Sequence, residues 1–88
     1  GANLEEANLS HTDLRHVQAQ EARLFRANGH YCNCDDADFS RADMRFAIWR
    51  RGRANRHRVN HATMQGINLR FKEGKETDFK GANLQEAR

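Results

Sequence analysis

Eighty-eight residues carrying 15 Lys and Arg, 12 Asp and Glu and a formal charge of +3 allow one domain with a modest core. Hydrophobic residues make up 38% of the chain and stand at strictly repeated positions, which excludes a disordered tail, and no apolar run approaches a membrane span. Two cysteines spaced C-x-C make no disulfide framework, no signal peptide is read, and the absence of proline suits a backbone committed to hydrogen-bonded ladders.

From its first residues, GANLEEANL, the chain runs in a register of five. Large or apolar residues recur at Leu4, Leu9, Leu14, Ala19, Leu24, Gly29, Cys34, Phe39, Met44, Trp49, Ala54, Val59, Met64, Leu69, Gly74, Phe79 and Leu84. Two places before each comes a second repeating position, most often alanine, from Ala2, Ala7 and Thr12 through Ala37, Ala42 and Ala47 to Ala82. Every Ala, Leu, Met and Cys lies in one of these two classes, and Lys72 is the only charged residue there. A period of five is neither the 3.6 of a helix nor the 2 of a strand, so it marks an internal repeat.

Units such as Ala2-Asn3-Leu4, Ala7-Asn8-Leu9, Ala37-Asp38-Phe39 and Ala82-Asn83-Leu84 resemble those of the pentapeptide repeat proteins, and the resemblance covers the whole chain. It implies an all-β fold: a right-handed quadrilateral parallel β-helix, four repeats per coil and a little over four coils, as one solenoid over residues 1–88. Both repeating positions would then point inward. The physics agrees, because a narrow square interior admits one large and one small residue per corner and stacked coils satisfy each other's backbone. Both ends of the sequence are in phase without a capping element, so the expectation is a piece of a longer protein, or coil ends covered by flanking caps or by end-to-end self-association.

With twenty residues per coil the register falls into four faces. Face one stacks Leu4, Leu24, Met44, Met64 and Leu84. Face two stacks Leu9, Gly29, Trp49 and Leu69, where Gly29 vacates room for the Trp49 indole. Face three holds Leu14, Cys34, Ala54 and Gly74, and face four Ala19, Phe39, Val59 and Phe79. Exceptions gather in 50–61, with Gly52 and His57 at inward small positions, and in 71–79, where Lys72 to Glu76 is expected to bulge outward.

Candidate chemistry is sparse. His30, Cys32 and Cys34 with His11 and His16 lack the spacing of a structural zinc site, and both cysteines fall in inward classes, so buried free thiols in a reducing, cytoplasmic compartment are expected; a secreted or translocated parent protein is the alternative. No nucleophile motif or phosphate loop is present, so no catalytic, cofactor-binding or metal residue is assigned and the chain is read as non-enzymatic. The strongest signal is basic: residues 41–58 hold seven arginines against Asp43 alone, a net of +6. A solvated belt paired with Asp35, Asp36, Asp38, Glu73 and Asp78 on adjacent coils is one reading of it. The other is a partner-binding surface formed by Arg50, Arg51, Arg53 and Arg56 where face two turns into face three, with the outward aromatics Phe25, Tyr31, Phe46 and Phe71.

The leading reading is a protein–protein interaction or scaffold module, of a bacterial protein by its resemblance. An alternative is binding of nucleic acid or an anionic surface through the Arg50–Arg58 belt. A DNA mimic acting on DNA gyrase, a role that the resemblance also implies, is disfavoured by the net positive charge.

Overall fold

In the computed structural model, residues 2–70, 77, 79–84 and 87 are described. Lys72 to Glu76, Phe71 and Gly74 lie outside them, and with them the expected bulge.

The repeat acts first on the turns. The Leu4 carbonyl accepts from Ala7 N–H at 3.1 Å, and the same bond recurs at Leu24–Ala27 (3.0 Å), Phe39–Ala42 (3.0 Å) and Met64–Ile67 (3.1 Å). The third residue of each turn has positive φ, from 57° at Arg56 to 62° at His16 and Arg51, while the second does not. That combination is the type II turn, which ordinarily calls for glycine at its third position. Among the described residues twelve non-glycine residues take the conformation, with Gly66 and Gly81 beside them, at about 1–2 kcal/mol each for an L-residue. They are held there by the neighbouring coil: Glu6 N–H donates to Phe25 O at 2.9 Å, Arg26 to Arg45 O at 3.0 Å, and Phe46 to Gln65 O at 3.0 Å.

Between turns the chain runs straight for three residues and pairs in parallel with the segment twenty residues on. Asn3 bridges Arg23, Asn8 bridges Asn28, Asp13 bridges Asn33 and Gln18 bridges Asp38, and the series continues to Thr63 and Asn83. Two such segments are long enough to be strands, β1 (Ile48–Arg50) and β2 (Asn68–Arg70), with Trp49 opposite Leu69. Asn and Asp recur before the large residue because their side chains close the following turn. Asn3 Oδ1 accepts from Glu5 N–H, Asn28 Oδ1 from His30 N–H and Asp43 Oδ1 from Arg45 N–H, all at 3.1–3.2 Å.

Both repeating positions point inward. Leu24, Phe39, Met44, Trp49, Val59, Met64 and Ile67 form the core with Ala22, Ala27, Ala37, Ala42, Ala47, Ala54 and Ala62, and Cys32 and Cys34 are buried with them as free thiols. Residues 50–61 stay in register, since Arg53 bridges Asn33 and Arg58 bridges Asp38. The distortion is local: Gly52 N–H makes no closing bond to Trp49, and a Cβ on Gly52 would run into the Cys32 carbonyl, whose carbon lies 3.1 Å away.

Gly66 serves two purposes. Its φ of +68° suits the turn, and the Phe46 ring lies over it, with Cδ1 and Cε1 each 2.5 Å from where a Cβ would stand. Gly66→Ala is therefore expected to lower unfolding free energy by about 1–2 kcal/mol, from backbone strain alone, and to displace the ring. Urea denaturation of the two proteins checks this; an unchanged midpoint would contradict it.

Candidate functional site

Each turn forms a corner that carries two outward residues, and residues twenty apart stack in a column along it. Corner one holds Phe25 and Arg26, then Arg45 and Phe46, then Gln65 and Gly66; corner two holds His30 and Tyr31, then Arg50 and Arg51. Corner three holds Arg15 and His16, Asp35 and Asp36, then Asn55 and Arg56. This stacking decides what each arginine meets.

On the third and fourth faces the arginines meet acids one coil earlier. Arg56 grips Asp36 with two bonds, Nε to Oδ1 at 2.7 Å and Nη2 to Oδ2 at 3.0 Å, and that guanidinium holds the Asp36 carboxyl below its usual range. Arg53 lies 3.7 Å from Asp35 and Arg58 3.9 Å from Asp38. Within one turn, Arg15 pairs with Asp13 and Arg45 with Asp43. Glu73 and Asp78, also expected as belt partners, lie outside the described residues.

Face two is different. Residues 25–31, 45–51 and 65–70, which form it and its two corners on the second to fourth coils, include five arginines and no Asp or Glu; the first coil, residues 5–11, adds Glu5 and Glu6 at corner one. Among the described residues, Arg26, Arg50, Arg51 and Arg70 have no carboxylate partner; Arg41, on corner four, shares this. Arg26 and Arg45 each place a guanidinium 5.2 Å from the Phe25 ring centroid, and Phe46 meets Phe25 edge to face at 6.0 Å. On corner two, His11 stacks flat on Tyr31 at 4.8 Å and Arg51 Nη1 donates to the Tyr31 hydroxyl at 3.1 Å. Tyr31 and Phe46 are each 46% exposed, and Ile48 lies partly exposed between the two corners.

The eight residues expected to bind a partner are thus divided by the structure. Arg50 and Arg51 stand on one surface with Phe25, Tyr31 and Phe46. Arg53 and Arg56 turn away into ion pairs with Asp35 and Asp36, because Asp36 lies directly below Arg56 and Asp35 stands two places along from Asn33, the residue that Arg53 bridges. Phe71 is outside the described residues. Arg26, Arg45, Arg70, Ile48 and His11 were not singled out from the sequence. Counting charge face by face at a period of twenty is the signal that finds them.

Elsewhere the titratable groups are structural. Cys32 Sγ donates to the Leu9 carbonyl at 2.8 Å, and the adjacent Cys32 sulfur, then burial, pushes the Cys34 thiol up. His57 is fully buried edge-on to Phe39 at 5.5 Å, and burial lowers its pKa to about 4 against a smaller opposing pull from Asp38. Among the described residues no group of three His, Cys, Asp or Glu side chains is placed to hold a metal ion, and no helix is long and apolar enough to cross a membrane.

The family description for pentapeptide repeats matches residues 1–28 and 7–45, eight copies in all, which together span just over half the chain. The chain belongs to the pentapeptide repeat family. Pentapeptide repeats imply a β-helix, and the parallel bridges at twenty-residue intervals are its ladder. Comparison with curated proteins gives no match.

Proposed function

We propose that this pentapeptide repeat chain is a non-enzymatic protein–protein interaction or scaffold module, and that face two with its flanking corners is the surface that binds. In this reading the coil is right-handed and quadrilateral, with a little over four turns, and it works as a rigid wall that displays side chains on flat faces. The observation that carries it is the segregation, over the second to fourth coils of one face, of exposed aromatics with arginines that have no carboxylate partner among the described residues, the composition of interface hot spots. The side-chain-filled interior favours recognition over catalysis. Leu84 is 40% exposed and Leu4, Leu9 and Leu14 are only partly buried; these apolar rows are what a further coil, a capping segment or a second copy would cover.

Nucleic-acid binding through Arg50–Arg58 is the second reading. The pairing of Arg53, Arg56 and Arg58 with acids weighs against it, as the net charge of +3 weighs against a DNA mimic.

The test is affinity capture with nuclease-treated extract, comparing wild type, Tyr31→Ser/Phe46→Ser and Arg53→Gln/Arg56→Gln. A partner whose binding falls about tenfold in the first variant, equivalent to about 1.4 kcal/mol, and holds in the second is the expected result. Binding abolished by nuclease, or equal loss in both variants, would overturn the reading.

A further inference from the structure

We infer that the partner of face two is an acidic, apolar-containing peptide segment, recognised through guanidinium groups held in place by the aromatic side chains; this rests on face two being the binding surface. Three observations lead there.

The charge is basic over the second to fourth coils of the face: five arginines and no acid, four of them without a carboxylate partner among the described residues, while the first coil places Glu5 and Glu6 at corner one, with Glu5 paired to Arg23. A partner that supplies carboxylates completes them, and Arg offers a fork that fits a carboxylate with two bonds.

The rings, secondly, are already engaged. Phe25 lies under Arg26 and Arg45, Tyr31 is covered by His11 and bonded to Arg51, and Phe46 lies over Gly66. Single-stranded nucleic acid is bound by free ring faces on which bases stack. Here each ring already carries a protein group, His11 on Tyr31, Gly66 against Phe46 and two guanidinium groups by Phe25, and the arrangement restrains long side chains that would otherwise lose rotamer freedom on binding. A guanidinium stacked on a ring keeps its in-plane N–H groups for an acceptor.

Thirdly, the patch is not purely cationic. Phe46 and Tyr31 keep 46% of their surface in water and Ile48 lies between them, so a ligand gains by bringing apolar side chains as well as charge. The outward backbone is committed to the coil ladder, which leaves recognition to side chains. A segment that alternates Asp or Glu with Leu or Phe fits both demands.

The experiment measures fluorescence anisotropy with three labelled probes: a peptide alternating acidic and large apolar residues, its Asn/Gln counterpart, and a single-stranded oligonucleotide of equal charge. The proteins are wild type, Arg26→Gln/Arg51→Gln/Arg70→Gln, and Arg53→Gln/Arg56→Gln, with circular dichroism of each to show folding. The acidic peptide should bind at least tenfold more tightly than the amide peptide and the oligonucleotide. That preference should vanish in the face-two variant and change less than twofold in the other. A wild-type protein that binds the amide peptide equally, or the oligonucleotide more tightly, overturns the inference whether or not the variants fold, as does equal loss in both variants. Failure with the acidic peptide while a nuclease-resistant partner still depends on Tyr31 and Phe46 would remove the acidic segment and leave the interaction module; failure of both would remove both.

Discussion

Trp49→Ala should cost about 3–5 kcal/mol of stability, the largest loss expected from any single side chain here. Trp49 is 1% exposed, the bulkiest fully buried residue, and meets Phe39 edge to face at 5.6 Å. Its space comes from the coil below, because a Cβ on Gly29 would lie 2.6 Å from Trp49 Cζ3. Phe39 holds the indole on another side, so Gly29→Ala cannot be absorbed by a small shift and should cost about 1–3 kcal/mol. The two effects share one volume and should not add: in Gly29→Leu/Trp49→Ala the new side chain enters the space the indole leaves, so the pair should lose less than the sum. Trp49→Phe should be milder than alanine, since a phenyl ring refills most of the space the indole leaves. Urea midpoints and the Trp49 emission maximum check this. Additive losses, or emission typical of bulk water in the folded protein, would refute the packing argument.

The Trp49–Gly29 pair was legible in the sequence for the reason the whole interior was. Inward residues obey one register, and a period of twenty places the smallest and largest side chains one above the other. The positive-φ corners were less legible, because residues as ordinary as Glu21, Arg41 and Phe46 occupy them and nothing in their chemistry announces αL. The backbone bond from each to the next coil selects that conformation, and this is a property of the stack rather than of the residue. The belt was legible in part, because the pairing of its arginines with Asp35, Asp36 and Asp38 was one of the two readings open from the sequence. Read along the chain, Arg50 to Arg58 is one basic run; read coil against coil, Arg53, Arg56 and Arg58 belong with Asp35, Asp36 and Asp38, while Arg50 and Arg51 belong with Tyr31 and face two. Charge neighbours in a coil include residues eighteen to twenty positions apart, so local charge counts mix surfaces that the fold separates.

Lowering the pH from 6.5 to 4 should remove about 3 kcal/mol of stability through His57 alone. The residue takes an inward small position on face four, where Ala37 stands one coil earlier, and its ring is sealed against Phe39. Burial disfavours the imidazolium and lowers the folded pKa to about 4 from an ordinary 6.5; Asp38 draws it upward, less strongly. The unfolded chain therefore binds a proton that the folded one refuses. Stability from this group is complete above pH 6.5, falls as the pH drops, and levels off below 4, once both states are protonated. Carboxylates do the opposite in a lower window: Asp13, held at about 2 by the Arg15 hydrogen bonds, together with Asp36 and Asp43, lose their contribution as pH falls below the ordinary carboxylate value. The interval between 6.5 and 4.5 thus isolates the histidine. His57→Leu, close in volume and without a proton to gain, should flatten the stability profile across that interval. Denaturation midpoints at half-unit pH steps make the measurement, and a slope unchanged by the substitution would show that the buried imidazole is not the group that senses acid.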